Sequence, residues 1–219
     1  MNTTIVDLSH LLNEDVSVYP GTIGPKISRD FTVEKHGYAE LMLTTVLHAG
    51  THIDAPCHIV KNSPPLDTFP LSKFIGDAIV IDCRGLKEIT LELLKQHEQN
   101  IKRVKFILFF TGWQMKWKTD SYFDDCPTLT IEASHWLSKF DLNGIGFDSF
   151  SIDPVVSADI VTEETLPRHF IFLGKNILLI ENLTNLDRLP NSVFQFQCLP
   201  LKIEDADGSP VRAIAMIKN

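Results

Sequence analysis

No Cys-x-x-Cys pair occurs in the chain. Cys57, Cys83, Cys126 and Cys198 lie far apart, so neither a cysteine-based zinc module nor a redox dithiol is expected, and all four read as reduced, mostly buried thiols. No run approaches the ~18 apolar residues that a membrane helix needs. Positive charge is short: 20 Lys and Arg against 28 Asp and Glu leave a net charge of −8. That balance argues against attraction to nucleic acid or to an anionic membrane, and no partner of either kind is expected. The first stretch, MNTTIVDLSHLLNEDV, lacks a basic start and carries Asp7 where a secretory signal would be apolar, so the expected location is cytoplasmic. No internal repeat, low-complexity tract or composition shift marks a boundary. The 219 residues, 44% of them hydrophobic, are expected to form a single domain, with residues 1–38 as an N-terminal strand and an arm that could act as a substrate lid.

What the chain does concentrate is histidine. Three of its eight histidines fall between His48 and His58, in the run His48-Ala49-Gly50-Thr51-His52-Ile53-Asp54-Ala55-Pro56-Cys57-His58. In an extended segment side chains alternate between faces, so His48, His52 and Asp54 would converge on one side and Thr51 and Ile53 on the other. Two imidazoles and a carboxylate suit zinc and its first-row neighbours, and a catalytic ion typically takes three protein ligands and keeps one position open. Gly50 lets the backbone turn or approach a ligand closely. Pro56 ends the strand, which leaves His58 at the rim as the candidate general acid and base, because imidazole titrates near neutral pH. Cys57 is expected to face away.

Elsewhere the pattern is that of an α/β chain. Residues 3–8 read as a short strand, and 14–25, with Tyr19, Pro20 and Gly21, as a turn-rich loop or lid in which Tyr19 could touch substrate. Residues 39–48 read as a strand delivering the chain into the histidine cluster, and 61–74 as a long connection that could wall the site. Strands are expected at 75–83 and 104–110, covered on both faces, with a helix over 86–100 capped by Thr90 between them. A second helix is expected over 130–140 and a brief strand over 144–148. Asp148 and Asp153 in the loop that follows are either turn formers or hydrogen-bond partners that orient metal ligands. A short helix capped by Thr165, with Pro167 in its first turn and Gly174 at its end, would carry His169, and the apolar strand 177–181 ends in Glu181. A reversing helix and strand could bring those two residues together, and a glutamate closing an apolar strand needs a cation. Two more strands are expected over 193–203 and 211–217, around a turn at 207–210.

With both segments in view, the chain resembles the cyclase family of metal-dependent hydrolases, which includes bacterial kynurenine formamidase and isatin hydrolase. Its motif, His-x-Gly-Thr-His-x-Asp-x-Pro-x-His, is complete from His48 to His58, and RHFIFLGKNILLIENLTNL looks like its second ligand segment. The resemblance implies an α/β single domain of the swivelling type, with a mixed sheet and flanking helices, assembled as a homodimer or homotetramer. It also implies two divalent ions per chain, zinc or manganese: His48, His52 and Asp54 on one, a bridging Asp54 with His169 and Glu181 on the other, His58 as the catalytic histidine and Tyr19 as a substrate contact, in its own or a neighbouring subunit's site. Kynurenine formamidases proper usually carry tryptophan before Pro-Gly and often alanine at the position of Thr51, so the resemblance does not name kynurenine as substrate.

The residues themselves point to the same chemistry. Two ions bring +4 against −2 from Asp54 and Glu181, a centre able to generate hydroxide at neutral pH and to polarise a carbonyl. The expected activity is arylformamidase-like hydrolysis of an amide-type C–N bond, in an N-formyl arylamine or a cyclic amide, with His58 carrying the proton to the departing nitrogen. The rivals are a single-ion, isatin hydrolase-like enzyme built on His48, His52 and Asp54, and a non-catalytic protein whose ions only hold the fold.

Overall fold

Phe106–Phe110 is buried at every position, and its side chains divide by alternation. Phe106, Leu108 and Phe110 belong to one hydrophobic core, Ile107 and Phe109 to another. A strand apolar on both faces must be covered on both faces, which places it at the centre of a sheet. The computed structural model describes residues 2–156 and 160–218, and in it this strand is the fifth in a row of nine.

In chain order the first strands are β1 (Thr3–Asp7), β2 (Lys26–Phe31), β3 (Glu40–Thr44), β4 (His52–Asp54) and β5 (Ile75–Asp82), with α1 (Val33–His36) between β2 and β3. Then come β6 (Glu88–Ile89), α2 (Leu91–Gln96), α3 (Glu98–Ile101), β7 (Phe106–Phe110), β8 (Thr128–Leu129), α4 (Ile131–Leu137) and β9 (Gly144–Phe147). The chain closes with α5 (Pro167–Leu173), β10 (Leu178–Glu181), β11 (Phe194–Gln197), β12 (Gly208–Pro210) and β13 (Ile214–Lys218). The main sheet runs β1-β13-β11-β5-β7-β9-β10-β4-β12. Its centre, β5-β7-β9-β10, is parallel, and antiparallel strands extend it at both ends. Parallel neighbours need crossovers, and α2, α4 and α5 supply cover for one face. The fold is a single-domain α/β with a large curled mixed sheet.

Several sequence expectations shift. The strand over 39–48 is only Glu40–Thr44, and it pairs with β2 in a separate two-stranded arm. Leu41, Met42 and Leu43 are 51%, 60% and 43% exposed, so β3 contributes nothing to either core. The helix over 86–100 breaks into a two-residue strand and two short helices, although Thr90 does cap α2 by accepting from the Leu93 amide. Thr130 caps α4 in the same way. Thr165 does not cap α5: its hydroxyl turns back to the Thr162 carbonyl, and Leu166 holds the cap position. Gly174 ends that helix in right-handed geometry, and the left-handed residue after it is Asn176, at φ 58°. The expected turn at 207–210 is mostly β12, an edge strand paired with β4.

His10 stacks on Trp117 with ring centroids 4.0 Å apart, and burial, helped by nearby Lys118, pulls its pKa down to about 4. The unfolded chain takes up this proton below about 6.5 and the folded one only near about 4. The contribution is therefore complete above the higher value and is lost as pH falls through the lower one. Relative to His10→Phe, which keeps the stack, metal-free wild type should lose about 1–2 kcal/mol across that window after allowance for the ring's partial exposure. Urea unfolding of both proteins at neutral and acid pH measures the difference.

Candidate metal centre

The register between β10 and β4 builds the centre. Glu181 pairs with His52 and Leu179 with Asp54, while Ile180 faces Ile53. Ile53 and Ile180 belong to one core, so alternation puts His52, Asp54 and Glu181 together on the opposite face. That face is the one α5 covers, and it delivers His169. His52 Nε2 lies 3.3 Å from Asp54 Oδ1 and 3.5 Å from Glu181 Oε2, and His169 Nε2 lies 3.6 Å from Glu181 Oε1. His52 and Asp54 follow the expected alternation. His48 does not, because only residues 52–54 are strand and Gly50 sits at φ +66°, in the left-handed region where a Cβ is strained. The turn through Gly50 nevertheless carries His48 back, with Nδ1 2.7 Å from Asp54 Oδ1. His58 closes a 3-10 turn over Pro56–His58, and its ring lies 4.1 Å from that of His48 and 6.4 Å from that of His169.

Each converging imidazole is held from behind. His52 Nδ1 meets the Gly50 carbonyl at 2.9 Å, and Asn182 Nδ2 donates to that same carbonyl. His169 Nδ1 lies 2.8 Å from Asp153 Oδ2, and Arg168 donates to the other oxygen of that carboxylate. Burial alone would raise the Asp153 carboxyl, but its bonds from His169 and Arg168 keep it below the usual range. Of the two loop aspartates, then, Asp153 orients a candidate ligand. Asp148 does not: its carboxylate accepts from Thr111 and from the Gln114 amide, inside the core, where burial pushes its pKa up. Replacing Asp153 by asparagine should weaken metal affinity about 10–100-fold, as losses behind a ligand histidine typically do. Competition with a chromogenic chelator reads it directly.

The electrostatics suit a cation. Burial opposes charge on His48 and His169, yet the carboxylates around them, Asp54 and Asp207 for the one and Asp153 and Glu181 for the other, raise both to about 10. Asp54 lies far below the ordinary carboxylate range, its burial outweighed by His52 and His48. Glu181 Oε1 is buried without a hydrogen-bond partner, since 3.6 Å to His169 is too long. A buried carboxylate oxygen left unpaired is costly, and an ion between these groups would satisfy it. Two donor sets, His48-His52-Asp54 and Asp54-His169-Glu181, each have ligand atoms within 4.8 Å of one another and share Asp54. The residues therefore fit one or two divalent ions.

A cleft of about 580 Å³ opens over these groups, a size that suits a small organic ligand. Tyr19, Val46, Leu47, Phe123, Phe150 and Leu166 give it apolar walls. Tyr19 lines the cleft of its own chain and accepts a bond from the Val156 amide at 2.9 Å. Residues 61–74, expected as a wall, contribute nothing to the lining. The thiol of Cys57 turns toward the Ala206 carbonyl. The remaining three thiols are buried and free. Two residues beside the cluster were not anticipated. Asn182, at φ 56°, accepts from Tyr122 through its side chain and from Thr51 through its backbone. Asp207 reaches His48 and His58. An Asp-Gly dipeptide reads locally as a turn, and only the pairing of β12 with β4 brings it here.

Comparison with known proteins gives a consistent result. The Cyclase family model, described as "Putative cyclase", matches residues 6–154. A kynurenine formamidase of Bacillus thuringiensis subsp. konkukian is 29% identical over 211 residues, covering 95% of both chains. Isatin hydrolase A from Ralstonia solanacearum superposes with a TM-score of 0.86 at 26% identity, over 99% of this chain and 92% of its own. Isatin hydrolase A from Labrenzia aggregata gives 0.87 at 27%, over 99% and 94%. With a family model matched across more than half its length, the chain belongs to the Cyclase family.

Proposed function

We propose that the protein is a metal-dependent hydrolase of a non-peptide amide-type C–N bond, arylformamidase-like, with two divalent ions per chain, zinc in preference to manganese. The observation that carries this is the pair of donor sets joined by Asp54, in an apolar cleft that His58 also lines. His48, His52 and Asp54 would hold one ion, and Asp54, His169 and Glu181 the other. Bound there, a divalent ion supplies Lewis acidity, lowering the pKa of water from about 15.7 to about 7 and polarising a carbonyl.

The remaining work falls to the chain. His58, at the rim and part exposed, takes the proton released at the attacking water and returns it to the departing nitrogen, which is too basic to leave as an anion. Tyr19, Phe150 and Phe123 pack an aromatic or bicyclic substrate and keep bulk water out. This reading brings together the activities named for the relatives, a formamidase and an isatin hydrolase. A second version has a single ion on His48, His52 and Asp54 acting on a cyclic amide, the kind of substrate named for the isatin hydrolases on which the chain superposes. Metal content per chain, measured alongside turnover of formanilides, N-formylkynurenine, isatin and simple lactams, separates the two. Hydrolysis of isatin alone by a one-ion protein would replace the formamidase reading, and no turnover of any of them would remove both.

The proposal extends to assembly and place. The β2–β3 arm, with Tyr38 and Met42 half or more exposed, is read as the contact with a second copy, giving a homodimer or homotetramer, and light scattering tests it. No helix among the described residues is long and apolar enough to cross a membrane. Four free thiols suit the reducing cytoplasm. The unit proposed is the whole of residues 1–219, with residues 14–25 of the N-terminal part serving as the lid that carries Tyr19.

A further inference from the structure

The three converging imidazoles share one arrangement. Each points one ring nitrogen at the carboxylates and the other at an acceptor behind it. For His52 that acceptor is the Gly50 carbonyl, and for His169 it is Asp153. For His48 it is Asp207, whose Oδ2 lies 3.3 Å from Nε2. The next residue completes a seat: a Cβ at Gly208 would stand 2.6 Å from His48 Cε1 and 2.8 Å from Nε2, so the ring rests directly on the β12 backbone. The His58 ring covers it at 4.1 Å and 34°. The same Asp207 oxygen is 3.8 Å from His58 Nδ1, too far for a hydrogen bond but close enough for a charge to be felt.

We propose that Asp207 is a positioning residue that sets both His48 and His58 through one carboxylate oxygen. This rests on the reading of the site as a metal-dependent hydrolase. Accepting from His48 Nε2 fixes the tautomer that leaves Nδ1 free to bind an ion beside Asp54. His48, His58 and Asp207 also bring ligand atoms within 4.8 Å of one another, but a proton held on His48 Nε2 would leave that nitrogen no lone pair for an ion there. The longer approach to His58 leaves that ring able to turn toward substrate and return to the same carboxylate. A half-exposed ion pair would ordinarily contribute little, and what sets this one apart is that its acceptor backs a candidate ligand.

The test uses Asp207→Ala and Asp207→Asn, each in wild-type and His58→Ala backgrounds, with circular dichroism to verify folding. Zinc affinity by chelator competition needs no substrate. It should fall about 10-fold or more in Asp207→Ala and recover in part in Asp207→Asn, which keeps an acceptor oxygen. At saturating zinc, Asp207→Ala should lower kcat about 10–100-fold with little change in KM, and the residual turnover of His58→Ala should fall no further when Asp207 is also removed. Wild-type zinc affinity would overturn the hold on His48. An equal loss of kcat in both backgrounds would overturn the action through His58. A protein that turns over no amide would sink the functional reading, while the affinity measurement would still decide whether Asp207 backs His48.

Discussion

Replacing Asp54 by asparagine should lower kcat/KM by about 1,000-fold or more and reduce bound metal in both donor sets. Each Lewis-acid interaction supplies several kcal/mol to a transition state of this kind, and about 1.4 kcal/mol is a factor of ten in rate. Asp54 is the residue that His48-His52-Asp54 and Asp54-His169-Glu181 have in common. It is 1% exposed, so neither water nor a neighbouring side chain can take its place. Asparagine preserves the shape and β4 pairing but removes the charge that offsets His48 at 2.7 Å and His52 at 3.3 Å. An uncompensated buried cation is unfavourable, and an ion drawn in by one fewer carboxylate is held less tightly. Elemental analysis and kinetics on the same preparation decide the matter. An asparagine variant with full metal and wild-type turnover would show that the two sets do not act through this carboxylate. Loss of about half the metal with most activity kept would instead point to one working ion.

The contrast between what sequence reveals and what it hides follows from the range of the contacts. The strands β5 and β7 were legible because they are largely apolar runs packed on both faces, a signal contained in each run. The convergence of His52 and Asp54 was legible for the same reason, since alternation along three residues fixes it. His48 comes beside Asp54 by a different route, a left-handed turn at Gly50 where extended chain was expected. His169 and Glu181 met as a helix followed by a reversing strand allowed. β12 was hidden because three residues carry no periodicity and its partner β4 lies far back in the chain. With it went Asp207. The arm shows the opposite error: Leu41-Met42-Leu43 has strand-forming residues and does form a strand, but propensity cannot say which sheet the strand joins. Its apolar side chains stay exposed, which is why it is read as a surface for a second copy.

Replacing His58 by alanine should reduce kcat about 100- to 10,000-fold while leaving the metal in place, the range over which a positioned acid and base contributes. The separation of the two effects is the point. His58 stands outside the donor set centred on Asp54 and Glu181, part exposed at 30% where His52 and His169 are almost wholly buried. Removing its ring takes nothing from the ligands that face Asp54. It does remove a ring that lies against that of His48 at 4.1 Å and 34°, so metal affinity should be checked and is expected to hold within a few-fold. The reaction needs a proton moved from water to nitrogen, and arylamide nitrogen with a more acidic conjugate acid needs that help less. The loss should therefore shrink along a series of formanilides as ring substituents become more electron-withdrawing. A uniform loss across the series would assign His58 to binding rather than to proton transfer, and an unchanged kcat would remove it from the mechanism altogether.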